Sequence, residues 1–230
     1  MPGLTEILLG TTTASCLALL WRCARLQTAL TTAEHDARHD ALTGLPNRRA
    51  LLAHLQAQLA DRTRPVSAAL LDLNRFKDIN DEHGHAAGDA VLRHVAHTLT
   101  ALNLPGAYVG RLSGDEFLII TNGGFDHGDA NARAAARALA AATVPFFGTT
   151  FRCAASIGTA TATATATADD NDTSAEQLLS RADVAMYHAK RLGEDVMSHF
   201  PYMEEEAVSH LPYPEETTVL ARRVHRRRFR

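Results

Sequence analysis

Two apolar runs, "AYVGRL" and "FLII", flank Ser113-Gly114-Asp115-Glu116. Strands separated by so few residues have to turn back on each other, and Gly114-Asp115 suits a tight hairpin turn with glycine at its first central position. This stretch constrains the fold most, because it fixes an antiparallel pair and sets two acids, Asp115 and Glu116, at its tip. Upstream, "VSAALLDLN" is a continuous apolar run of strand length. It reads as a buried strand ending at Asp72. If the strand "AYVGRL" pairs beside it, Asp115 meets Asp72 at the sheet edge.

The remaining segments supply helices and further strands. After a turn at Gly44 to Pro46, Leu51, Leu52, Leu55 and Leu59 keep one face of a helix. Gly88 and Asp89 are expected to open a second helix carrying Val91, Leu92, Val95, Leu99 and Leu102. An alanine-rich helix is expected from about Ala130, and "FFGTTFRCAASIGTAT" reads as another hairpin with glycine turns. "TATATATA" favours an extended strand end that becomes a loop by Asp169. "SAEQLLSRADVAMYHAKRLG" is a last amphipathic helix, with Leu178, Leu179, Ala182, Ala185, Met186 and Ala189 inward. Periodicity fades after Gly193.

The chain has 230 residues, room for one ordinary domain with extensions. Its net charge of −3 argues against a protein that coats nucleic acid along its length. Cys16, Cys23 and Cys153 are odd in number and form no CxxC, which argues against a disulfide framework or zinc module. Leu4 to Trp21 is mostly apolar with one charge, Glu6, close to the roughly 17–20 residues a bilayer span requires. Arg22 and Arg25 follow and place the C-terminal side in the cytosol. Residues 1–25 are therefore expected to be a membrane anchor, with a helix packed on a partner as the alternative. Residues 26–39 form a linker helix with a narrow seam at Leu26, Leu30, Ala33 and Ala37, on which His35 and His39 belong to a solvated face. Residues 40–197 make the globular domain. Residues 198–230 are an expected disordered tail ending in the basic "ARRVHRRRFR", a solvated end unless it docks on anionic lipid or nucleic acid.

Asp72 sits where a buried strand runs out, a usual place to hold a ligand or cation. Two carboxylates brought together repel, so Asp72 and Asp115 call for a hard divalent cation such as Mg²⁺. Such an ion usually completes its shell with water and substrate phosphates, which points to nucleotide chemistry. The plainer alternative, polar turn residues and a strand terminator, is left open by these positions alone. "DLNRFKDINDEHGHAAGD" adds to the first reading. Lys77 is a phosphate counter-charge, and the backbone N–H groups after Asp72 can cradle anionic oxygens. Asn80 and Asp89 suit guanine, an amide bonding the base edge and a carboxylate accepting from N1–H and the exocyclic amine. His83 and His85 read as loop histidines that cap backbone groups.

"HDALTGLPNRR", "LLDLNRFKDINDEHGHAAGDAVLRHVA", "RLSGDEFLII", "ASIGTA" and "RADVAMYHAKRLG" occur in the order and approximate spacing of the GGDEF family, the diguanylate cyclases. The chain resembles that family over roughly Asp40 to Asp195, with SGDEF as its signature. The resemblance implies an α+β, nucleotide-cyclase palm-like domain whose central, mostly antiparallel sheet is surrounded by helices. It implies the joining of two GTP into cyclic di-GMP with release of pyrophosphate, dependent on Mg²⁺ or Mn²⁺. It implies a homodimer in which each subunit holds one GTP, a product that acts on downstream cyclic di-GMP receptors, and a protein anchored at the cytoplasmic side of the bacterial inner membrane, or otherwise cytoplasmic. No specific nucleic acid is implied. By motif position Asp72, the Leu73 carbonyl and Asp115 hold the metal. Glu116 supports the metal or activates the attacking hydroxyl, and the two roles stay open. Asn80 and Asp89 recognise guanine. Arg75, Phe76, Lys77 and Lys190 hold the phosphates.

Three departures from the family pattern carry information. Ser113 replaces the first glycine of the signature, at a cost of about 1 kcal/mol if its φ is positive. Glu194 in "AKRLGED" stands where relatives commonly have a phosphate-holding arginine. Leu104 to Ala107, "LPGA", lacks both charges of the RxxD inhibitory product site, so feedback through that site is not expected. Glu194 keeps a second reading alive, a catalytically weak or inactive domain that binds GTP or a partner protein.

Overall fold

The computed structural model describes residues 3, 19–29, 32, 35–163, 173–200 and 203. The chain divides into two units, Met1–His39 and Asp40–Arg230. In the first, residues 19–29 are helical (α1) and expose Leu19, Leu20, Trp21 and Leu26, with the Arg25 guanidinium 5.0 Å from the Trp21 ring. The expected anchor at Leu4 to Trp21 lies mostly outside the described residues. Among the described residues no helix is long and apolar enough to cross a membrane, so the anchor finds no support there. The His35 and His39 rings stack 3.8 Å apart, His35 exposed and His39 half-buried.

The second unit runs α2 (Arg48–Ala60), β1 (Val66–Leu73), α3 (Phe76–His83), α4 (His85–Ala101), β2 (Ala107–Ser113) and β3 (Glu116–Asn122). It continues with α5 (Phe125–Ala141), β4 (Thr143–Phe146), β5 (Thr149–Arg152), β6 (Ala155–Ala162), α6 (Ala175–Leu192) and β7 (Val196–Ser198). Five strands form one sheet in the order β2-β3-β1-β6-β7. β1 is antiparallel to both β3 and β6, and only β7 runs parallel to its neighbour. The sheet is thus mostly antiparallel, as the resemblance implied.

β1 is buried at all eight positions because helices cover both faces of the sheet. Ala69, Leu71 and Leu73 pack in one core with Val91, Leu92 and Val95 of α4 and Ala132, Ala135 and Leu139 of α5. Val66, Ala68 and Leu70 point the other way, to Leu51 and Leu55 of α2 and Leu178, Leu179 and Met186 of α6. A strand with two buried faces needs apolar side chains at odd and even positions alike, which explains its unbroken apolar run. α6 starts on a capping box in which Ser174 accepts from the Gln177 N–H, and all six residues expected inward are buried.

Several elements differ from the sequence expectations. The helix expected at Gly88 begins at His85, and a separate helix, α3, precedes it where the sequence suggested a loop. Gly88 serves close packing: a Cβ there would lie 2.1 Å from Asn80 Oδ1. His83 and His85 consequently stand at helix ends, and the His83 ring tilts against Phe151 at 5.0 Å. α5 begins at Phe125, ahead of Ala130. "FFGTTFR" does make a hairpin, β4–β5, in a sheet of its own, but "ASIGTATA" is a separate strand paired to β1. β7 is too short to leave a periodic signal. The loop expected by Asp169 and nearly all of the tail after Phe200 lie outside the described residues.

Candidate functional site

The strand beside β1 is β3; "AYVGRL", expected there, is the outer strand β2. The register sets Asp72 directly opposite Glu116, with Asp115 one residue back in the turn. Asp72 is 9% and Glu116 7% exposed. Gly114 takes φ +46°, so the left-handed position of the turn falls on glycine, and the pairing slips by a residue between Arg111 and Ser113. Ser113 is outside the positive-φ residues and carries no such strain. Its hydroxyl instead donates to Glu116 Oε2 at 2.5 Å.

Arg111 fixes the turn from below. Its Nε and Nη2 donate to the Gly114 carbonyl at 2.9 and 2.7 Å, and its Nη1 to Asp40 Oδ1 at 2.9 Å. The same Asp40 oxygen accepts from the Thr43 N–H and hydroxyl, while the Arg111 N–H donates to the Pro46 carbonyl. The turn that leads into the domain and the acidic hairpin are therefore one hydrogen-bonded assembly.

α6 brings a cation to these acids. Lys190 Nζ lies 2.6 Å from Asp72 Oδ1. Burial, then the Asp72 charge, push the Asp115 carboxyl above its ordinary value, against weaker opposition from Lys190 and Arg111. Burial also raises Glu116. The Ser113 hydrogen bond works against this rise, whereas Asp183, Asp72 and Asp115 add to it. Asp183 was not anticipated. Its sequence signal was a carboxylate on the inward face of α6, next to Ala182 and one turn before Met186 and Tyr187.

Carboxylates whose ionisation is disfavoured by one another are short of positive charge, and their oxygens are hard donors. They fit a hard divalent cation. Among the described residues no group of three or more His, Cys, Asp or Glu is arranged to hold a metal. One or two carboxylates suffice for Mg²⁺ when substrate phosphates and water complete the shell. The Leu73 carbonyl belongs to the last residue of β1, beside Asp72.

Past Leu73 the chain bends through Arg75, at φ 59° and ψ 24°, into α3. The first N–H groups of a helix have no intrahelical acceptor, and those of Phe76 and Lys77 stand in this first turn. The Arg75 side chain pairs with Asp78 at 2.8 Å, so its backbone is the part suited to an anion. Lys77 is exposed. Asn80 packs on Gly88, which places its amide along the α3–α4 seam; Asp89, the residue after Gly88 on α4, lies 3.8 Å from Arg93 Nη2. Glu194 follows Gly193 at the end of α6 and is exposed. Arg133 is held protonated first by Asp129 and, more weakly, by Glu194.

With this geometry in place, comparison with known proteins shows the family. The profile of the family described as diguanylate cyclase, GGDEF domain, matches residues 37–196, and the chain belongs to that family. It is 37% identical over 170 residues to an uncharacterized signaling protein of Caulobacter vibrioides, covering 71% of this chain and 20% of that protein. It is 37% identical over 174 residues to the diguanylate cyclase TpbB of Pseudomonas aeruginosa, covering 73% of this chain and 38% of that one. The chain thus spans well under half the length of these relatives. Among solved structures, the coiled coil and GGDEF domain of DgcB from Caulobacter crescentus, in complex with c-di-GMP, superposes with a TM-score of 0.73 at 25% identity, covering 82% of this chain and 99% of that one.

Proposed function

We propose that this chain is a diguanylate cyclase that condenses two GTP into cyclic di-GMP and releases pyrophosphate. The observation that carries the reading is the meeting of Asp72, Asp115 and Glu116 at one sheet edge with Lys190 against them. Asp72, Asp115 and the Leu73 carbonyl would hold Mg²⁺ or Mn²⁺. When bound, such a cation offsets the charge that builds on the phosphates during transfer. Lys190, Lys77 and the backbone of Arg75 and Phe76 hold the triphosphate. The Asn80 amide and the Asp89 carboxylate read guanine, the carboxylate accepting from N1–H and the exocyclic amine. Glu116, buried and hydrogen-bonded by Ser113, acts on the metal shell or on the attacking 3′-hydroxyl.

One domain holds one GTP, so in-line attack by the 3′-oxygen of one nucleotide on the α-phosphorus of another requires a second copy facing the first. Residues 40–197 are the catalytic domain in this reading, and residues 26–39 link it to what precedes. The domain works in the cytoplasm, where GTP is, and its product acts on cyclic di-GMP receptors.

Glu194 favours a second reading, a domain that binds GTP without turnover, because a carboxylate near a triphosphate repels it. Incubating the full chain with GTP and Mg²⁺ at high protein concentration and looking for cyclic di-GMP by chromatography decides between the two. Product from the wild type and none from Asp115→Ala supports the cyclase. GTP binding without product from the wild type replaces it with the second reading.

A further inference from the structure

Lys190 Nζ lies 2.6 Å from Asp72 Oδ1, an oxygen that the cation site proposed above would need. The two partners are unequally free. The Asp72 side chain is 12% exposed and stands on a strand covered on both faces, whereas the Lys190 side chain is 40% exposed at the end of a long stem. Asp72 cannot turn away, but Lys190 can. A cation and an ammonium cannot both sit against one carboxylate without like-charge repulsion, and Asp115 feels Asp72 and Lys190 together. A triphosphate offers the ammonium an alternative anion of higher charge.

Building on the reading of Asp72 and Asp115 as a cation site, we propose that Lys190 is the resident counter-ion of Asp72. It excludes the divalent cation until a nucleotide triphosphate draws it off, so that metal and nucleotide enter together. Metal binding and nucleotide binding are then positively coupled, and by linkage each tightens the other to the same degree. Lys77 supplies a charge-matched contrast, since it is exposed and makes no ion pair among the described residues.

The test is Mn²⁺ titration of the full chain, read by the electron paramagnetic resonance of free Mn²⁺, with and without a saturating non-hydrolysable GTP analogue. Without nucleotide, Lys190→Met is expected to bind Mn²⁺ at least about tenfold more tightly than wild type, the change matching loss of one charge-assisted contact. Lys77→Met is expected to leave that affinity unchanged. The analogue tightens wild-type binding by a similar factor and that of Lys190→Met by much less. The inference is overturned if Lys190→Met binds no more tightly than wild type without nucleotide, or if Lys77→Met tightens binding equally. Lys190→Gln repeats the measurement should the methionine variant misfold by circular dichroism. Asp72→Asn separates the two levels of argument. If it leaves Mn²⁺ binding intact in every state, the cation site itself is misplaced; if it abolishes binding while Lys190→Met has no effect, only the counter-ion role fails.

Discussion

The hairpin β2–β3 turns through Gly114-Asp115 and the hairpin β4–β5 through Phe147-Gly148, both with residues at positive φ. β2–β3 extends the main sheet, so its tip reaches the end of β1 and the last turn of α6, and its acids meet Asp72 and Lys190. β4–β5 is a sheet of its own. It buries Val144 and Phe151 against the core and leaves Phe147 at its tip 96% exposed. Similar turns therefore end in different roles. What differs is the neighbour each tip meets, and that neighbour comes from distant sequence.

The largest effect should come from cutting the acidic tip. Asp115→Ala or Asp72→Ala is expected to lower cyclic di-GMP synthesis by about a thousandfold or more, with near-ultraviolet circular dichroism unchanged. Phe147→Ala, at the other tip, should leave synthesis as it is. Equal losses at both tips would break the comparison.

The roles reverse for stability. Phe151→Ala, in the buried face of β4–β5, should cost about 3 kcal/mol in urea unfolding, while Phe147→Ala stays within about 0.5 kcal/mol. The acidic tip carries a cost instead. Because the folded Asp115 carboxyl is raised, its contribution is present below the ordinary 3.8 and is lost as pH climbs through the raised value. Asp115→Asn should therefore add about 1 kcal/mol at neutral pH and little in strong acid, even as it abolishes activity. A variant no more stable than wild type at pH 7 would show that the tip stores no electrostatic cost. The smallest effect is expected at Glu194, an exposed position: Glu194→Arg should raise turnover by about threefold, the scale of a surface charge contact. An unchanged rate would remove Glu194 from the phosphate environment.

Local chemistry made much of this legible. The tight turn of β2–β3, the doubly buried β1 and the inward face of α6 follow from periods of two or 3.6 and from glycine placement. α3 escaped because it is only eight residues long and its apolar stripe is two residues, Phe76 and Ile79, which are only partly buried against the core. The wrong neighbour for β1 had a different cause. Strand order depends on which hairpin arm docks, and both arms are apolar.

From the chain alone came the acidic turn, the carboxylate at the end of a buried strand, and the motif order that resembles the GGDEF family. Covalent neighbours and side-chain periodicity carry that much, because both act over a few residues. Only the tertiary structure decided that Glu116, not Asp115, faces Asp72 across the sheet, that Ser113 bonds Glu116 instead of straining the turn, and that Lys190 closes on Asp72. Those are register and helix-docking outcomes. They are set by how two apolar cores fill on either side of one strand, and no short window of sequence contains that information.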